Sequence, residues 1–227
     1  AIMEASAPPS SMPLPVRLMK VFFSPGELFE SLKAKPVWGA VLVVGGVLSG
    51  LAVLLIPADI WVQAMREQAL ERGGELPPFM ESASMAFRLA TAAGGLVFWF
   101  VWAFLLAGIL TFVFAFLLGD EGKYIQYLSI VGHALFISAV GAILLLPLRI
   151  AQEDPSLTLS LGTFLPILQE GYAFRVLRLL DLFGLWSYAV MAVGLTKIHP
   201  RRGIASALSF CWAFALVFAM VFGIFGG

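Results

Sequence analysis

YIQYLSIVGHALFISAVGAILLLPL, residues 124–148, is a run of 25 residues with no formal charge and one histidine, His133. At about 1.5 Å per helical residue it is long enough to cross a hydrocarbon layer roughly 30 Å thick. It is the third of five long apolar runs, and the other four fall in pairs on either side of it.

The whole chain has the composition that this run implies. Of 227 residues, 60% are hydrophobic and 12% charged, and the mean hydropathy is +0.95. A water-soluble domain of this size has too thin a polar shell to cover so much apolar surface, so lipid is the expected solvent. Fourteen basic residues balance fourteen acidic ones, which leaves no excess charge to attract nucleic acid. The single cysteine, Cys211, excludes an intramolecular disulfide and a cysteine-rich zinc cluster. No cofactor motif is present: the sequence has no phosphate-binding glycine loop, no HExxH and no nucleophile elbow.

The five expected spans are 37–56, 89–118, 124–148, 179–198 and 204–225. Residues 1–16, rich in Pro, Ser and Ala and without the pattern of a cleavable signal peptide, read as a flexible tail ahead of one membrane domain, 17–227. Ser24, Pro25 and Glu27 form a helix-start signature, with Leu28, Phe29 and Leu32 on one face. Such a helix suits the membrane interface, whether it orients the first span or docks a partner. Further amphipathic stretches follow span one, over 58–74, and span three, over 156–180. The expected fold is therefore an all-α polytopic membrane protein with five transmembrane helices and interfacial amphipathic helices.

Small residues four apart mark candidate helix-packing faces: Gly46 and Gly50 in span one, and Ala205, Ser209 and Ala213 in span five. With an N-terminus in the cytoplasm, eight Lys and Arg fall on the inner side and six on the outer. That bias, with the juxtamembrane lysines, points to an outer C-terminus. Pro57 and Pro147 lie 90 residues apart, as do Leu89 and Leu179. Matched offsets are how a duplicated unit would look, although residue identity between the halves is slight.

His133 is the candidate intramembrane polar site. An ionisable group at that depth suggests a proton relay or metal ligand, or a neutral ring bonded to a neighbouring Ser, Tyr or backbone carbonyl. No other span offers a second titratable group at the same depth. Arg175, Arg178 and Asp181, three residues apart, could form an ion ladder, bind lipid headgroups or partners, or stand as solvated anchors.

The last third of the chain carries a family likeness. LFGLWSYAVMAVGLTKIHPRRGIASALSF (residues 182–210), with Trp186, Gly194 and Leu195 ahead of a short loop, resembles the closing segment of the Yip1 family of small membrane proteins. FFSPGELFESLKAKP, with Pro25 and Phe29, resembles that family's opening motif, and the third span with Pro147 at its end resembles its counterpart. The resemblance implies five spans and a cytoplasmic N-terminus. Eukaryotic relatives are associated with Rab GTPases and vesicle traffic and oligomerise with related proteins. This chain has Ser24, Pro25, Gly26 and Glu27 where those relatives carry Asp-Leu-Tyr-Gly-Pro, and it looks more like the bacterial-type branch.

Together these readings point to a non-enzymatic scaffold or adaptor in a bacterial cytoplasmic (inner) membrane. Its expected partners are membrane lipid and other membrane proteins or further copies of itself. The alternative is a transporter or channel for a small solute, ion or lipid, using His133.

Overall fold

The computed structural model describes residues 12–71, 73–77, 80, 85–165, 171–199 and 201–225. Most of the expected tail lies outside the described residues. Helices account for nearly all regular structure described: α1 (Leu14–Phe23), α2 (Pro25–Ala34), α3 (Gly39–Leu55), α4 (Ala58–Glu71), α5 (Met85–Leu110), α6 (Tyr124–Leu144), α7 (Leu146–Ala151), α8 (Tyr172–Leu179), α9 (Leu182–Ile198) and α10 (Ile204–Phe225). α5 continues as a wider π-helical stretch, Thr111–Leu117. The first helix therefore starts inside the segment read as a tail.

α6 is the axis of the bundle. It packs against α1, α2, α3, α5 and α9, and it buries Tyr127, Leu128, Val131, Ala134 and Ile137 in one continuous core. Close approach depends on glycines. A Cβ on Gly194 of α9 would lie 2.7 Å from Ile130, and one on Gly132 of α6 would lie 3.2 Å from Leu42 of α3. Small residues of this kind let lipid-embedded helices gain dispersion contact where hydrophobic exclusion supplies little.

Among the described residues three helices are long and apolar enough to cross a membrane: Met85–Leu117, Tyr124–Ala151 and Ile204–Ile224. Gly39–Leu55 and Ala58–Glu71, bent by 84°, would count as a fourth if they form one broken span. α9 is apolar but has only 17 residues, because Asp181 caps it at Gly184 N and separates it from α8. The helices thus give three to four spans by length, where five were expected. The third run also does not stop at Pro147, which sits in the first turn of α7 and there lacks no needed N–H.

The elbow after α3 is held by its own carbonyls. Pro57 has no N–H to continue the ladder, and the freed carbonyls need donors in a dry setting. Arg88 of α5 donates from Nη2 to Ile56 O at 2.8 Å and to Leu54 O, and Trp61 Nε1 donates to Val53 O at 3.3 Å. Ala52, Ile56, Ile60 and Leu146 close a second, smaller core against this elbow.

Candidate functional site

His133 is fully buried, and its two ring nitrogens are engaged differently. Nδ1 lies 2.8 Å from Ser129 O, and Nε2 lies 3.2 Å from Nη1 of Arg17. A carbonyl only accepts and a guanidinium only donates, so the proton sits on Nδ1 and Nε2 accepts. The ring is neutral, with one tautomer selected by its partners. Arg17 also donates Nε to Met12 O at 3.1 Å.

Arg17 comes from none of the expected spans, yet it brings an ionisable group to His133. It is buried on the inner face of α1 together with Val21. α1 is thus apolar on both sides: Leu14, Leu18, Val21 and Phe22 pack toward the core beside Arg17, while Val16, Met19 and Phe23 face out. Burial pushes the Arg17 pKa down from its ordinary value, which does not discharge a group that titrates so high. No carboxylate pairs with Arg17 among the described residues. Its charge is met by Met12 O and the His133 lone pair, while the nearby Ser129 hydroxyl is buried without a partner. Phe22 closes the site, packing edge-on against Phe136 and Trp186.

This arrangement suits a fixed, dry polar joint. Among the described residues no group of three His, Cys, Asp or Glu could hold a metal.

A second joint lies where the connection before α6 meets the connection before α10. Gly119, at φ +72, lets the chain turn back after the π-helical stretch. Asp120 is thereby buried and accepts both Arg202 Nη2 contacts, at 2.7 and 2.8 Å, with His199 Nδ1 3.5 Å away. The Arg202 guanidinium lies 4.3 Å from the centre of the Phe114 ring, a cation–π contact that adds to the ion pair. Asp120 and Arg202 stand 82 positions apart in the sequence.

α2 begins at Pro25 as expected, but its Ser24 side chain makes no capping bond. Glu27 pairs with Lys20 at 2.7 Å instead, and that hydrogen bond and charge hold its carboxyl below the usual range. Leu28, Phe29 and Leu32 are buried in the core, with α2 packed on α6 and α9.

The remaining candidates separate. Arg175 Nε donates to Gly223 O at 2.8 Å, Arg178 donates to Ser156 Oγ, and Asp181 caps α9. No ion ladder joins them. A Cβ on Gly46 would collide with Leu96 and crowd Trp99 of α5, whereas one on Gly50 would be 4.0 Å from Ala92 O. The tighter partner of Gly46 is Gly45, where a Cβ would be 2.6 Å from the Trp99 ring. In α10 the expected row is displaced: Ala205, Ser209 and Ala213 are exposed, and Ala207, Cys211, Ala215 and Ala219 face inward. Both rows have four-residue spacing, so spacing alone does not choose between them.

Comparison with known proteins agrees with this architecture. A Yip1 domain family model matches residues 19–225. The chain is 25% identical over 219 residues to "Membrane protein YknW" of Bacillus subtilis (strain 168), covering 92% of this chain and 89% of that one. No solved structure matches it. With an all-helical bundle, membrane-length apolar helices and a family match over nearly the full chain, this protein is an integral membrane protein of the Yip1 domain family.

Proposed function

We propose that this protein is a non-enzymatic membrane scaffold or adaptor, organising other membrane proteins, further copies of itself or lipid through its helix surfaces and interfacial segments. The observation that carries this reading is the state of His133: it is fully buried, and both ring nitrogens are taken by protein groups. A relay histidine exchanges protons with water or another titratable group, and this ring has its exchangeable positions committed. In the same reading α3 and α9 also cross the membrane, since both pack along α6. That gives five spans, with the N-terminus in the cytoplasm, the C-terminus outside, and the protein in the bacterial cytoplasmic membrane.

Flux measurement in liposomes tests it. Reconstituted protein is expected to leave proton and small-ion permeability at the protein-free level, and His133→Ala to change nothing there. Site-directed photocrosslinking from the exposed faces of α5 and α10 is expected to yield discrete adducts in native membranes. Solute or proton flux that His133→Ala abolishes would overturn the scaffold reading in favour of transport. Thiol labelling of single-cysteine variants at the two ends of α9 tests the five-span topology.

A further inference from the structure

At the end of the bundle remote from Asp120, two hollows share Leu179 and Phe222 as a common wall. The deeper one, about 450 Å³, lies between α5, α6, α9 and α10. Phe98, Trp99, Trp102, Tyr188 and Phe218 line it, and at its base the hydroxyls of Ser138 and Ser187 bond one another at 2.9 Å. That pairing leaves a mainly apolar, aromatic-walled slot, whose lining also holds Asp181, the residue that caps α9. The outer hollow, about 500 Å³, is lined by Ser156, Thr158, Arg175, Arg178 and Gly223. Both volumes fall within the range of small-ligand sites.

The chemistry changes between the two. In the outer hollow Arg175 uses only Nε, on Gly223 O, and Arg178 uses one terminal nitrogen, on Ser156 Oγ. Neither arginine pairs with a carboxylate among the described residues. Two acids of the adjoining segments are otherwise occupied: Asp154 Oδ1 accepts from the Ser156 backbone and hydroxyl, Asp181 caps α9, and both act on the charge of Arg149. Thr158 Oγ1 is buried there with no hydrogen-bond partner. A hollow with two uncompensated guanidinium groups and an orphaned hydroxyl is built for an anion with several acceptor oxygens, and phosphate is the geometry that arginine matches best.

We infer that the joined hollows bind one anionic phospholipid, its phosphate held by Arg175, Arg178 and Thr158 and one acyl chain lying in the slot between α5, α9 and α10. Charge complementarity selects the headgroup, and the aromatic slot selects the chain. The slot reaches Leu135 and Ser138 of α6 but is lined by neither His133 nor Arg17, and the inference holds for a scaffold or a transporter alike.

Native mass spectrometry of the full chain, released from detergent with added lipid, tests it. One phosphatidylglycerol is expected to remain bound where phosphatidylcholine at equal concentration does not. Arg178→Gln, whose exposed side chain hydrogen-bonds Ser156 alone among the described residues, is expected to weaken retention about tenfold, the scale of one charge-assisted contact. Arg175→Gln with Arg178→Gln is expected to abolish it, with the lipid-free melting temperature monitored alongside. Inorganic phosphate at millimolar concentration is expected not to displace the lipid, since it leaves the slot empty. Equal retention of both phospholipids, or retention unmoved by Arg178→Gln, would overturn the inference and leave bulk lipid as the occupant. Full displacement by inorganic phosphate would also overturn it, in favour of a simple anion site.

Discussion

α6 and α10 are 21 and 22 residues long and nearly equal in hydropathy, yet 72% of the apolar centre of α6 is buried and 28% of that of α10. In water, apolar residues sort to the inside. In lipid they have no such preference, so the polar and small residues decide which helix becomes the axis. α6 carries His133, Ser129, Ser138 and Gly132, and each faces another helix or is buried. α10 turns Leu216, Val217, Met220 and Val221 outward and meets α9 through its buried alanine–cysteine row, Phe214 on Tyr188 and Trp212 Nε1 donating to Leu185 O.

Four measurements would break or sharpen this contrast. The largest effect is expected from overfilling the seam at the axis: Gly194→Leu must displace Ile130 of α6, and it is expected to cost about 3 kcal/mol or more or to prevent folding, read as loss of the monodisperse peak in detergent chromatography. Val217→Leu on the outer face of α10 is expected to leave that peak unchanged. Next comes the joint that fastens the start of α10: Asp120→Ala strands the largely buried Arg202, and it is expected to lower stability by about 3 kcal/mol, seen as a lower melting temperature.

His133→Ala, which leaves Arg17 without its side-chain acceptor, is expected to cost about 2 kcal/mol. A double-mutant cycle with Arg17→Gln should show that the two losses are not additive. If the losses added, the Arg17–His133 contact would carry no coupling. The smallest effect concerns α2. The Glu27 carboxyl is lowered by Lys20, so its contribution is present above the ordinary carboxylate pKa and fades as pH falls through the lowered value. Glu27→Gln is expected to flatten that acid-side slope slightly in a melting-temperature series from pH 7 to pH 3.

The sequence already displayed the helical class and the central place of residues 124–148, because an uncharged 25-residue run has few other physical uses. The boundaries of the last helix were equally plain, since the basic turn ahead of it marks a return to water. The register of its packing face was not, because Ala205, Ser209 and Ala213 offer the same spacing as Ala207, Cys211 and Ala215. Arg17 was hidden for a related reason: an arginine ahead of the first apolar run reads as solvated, and only the apolar residues around it hint that α1 buries one. Arg175, Arg178 and Asp181 looked like one row because a continuous helix was assumed, and the break at Leu180 and Asp181 sends them to three partners.

By itself the sequence determined the solvent and the helices, because charge spacing and apolar length act locally along the chain and against a bilayer of known thickness. Only the tertiary structure decided which helix is central, that Arg17 answers His133, that Asp120 binds Arg202, and that Arg175 and Arg178 meet no carboxylate among the described residues. Those outcomes depend on side chains as many as 116 positions apart meeting in three dimensions, which no local pattern of hydropathy encodes.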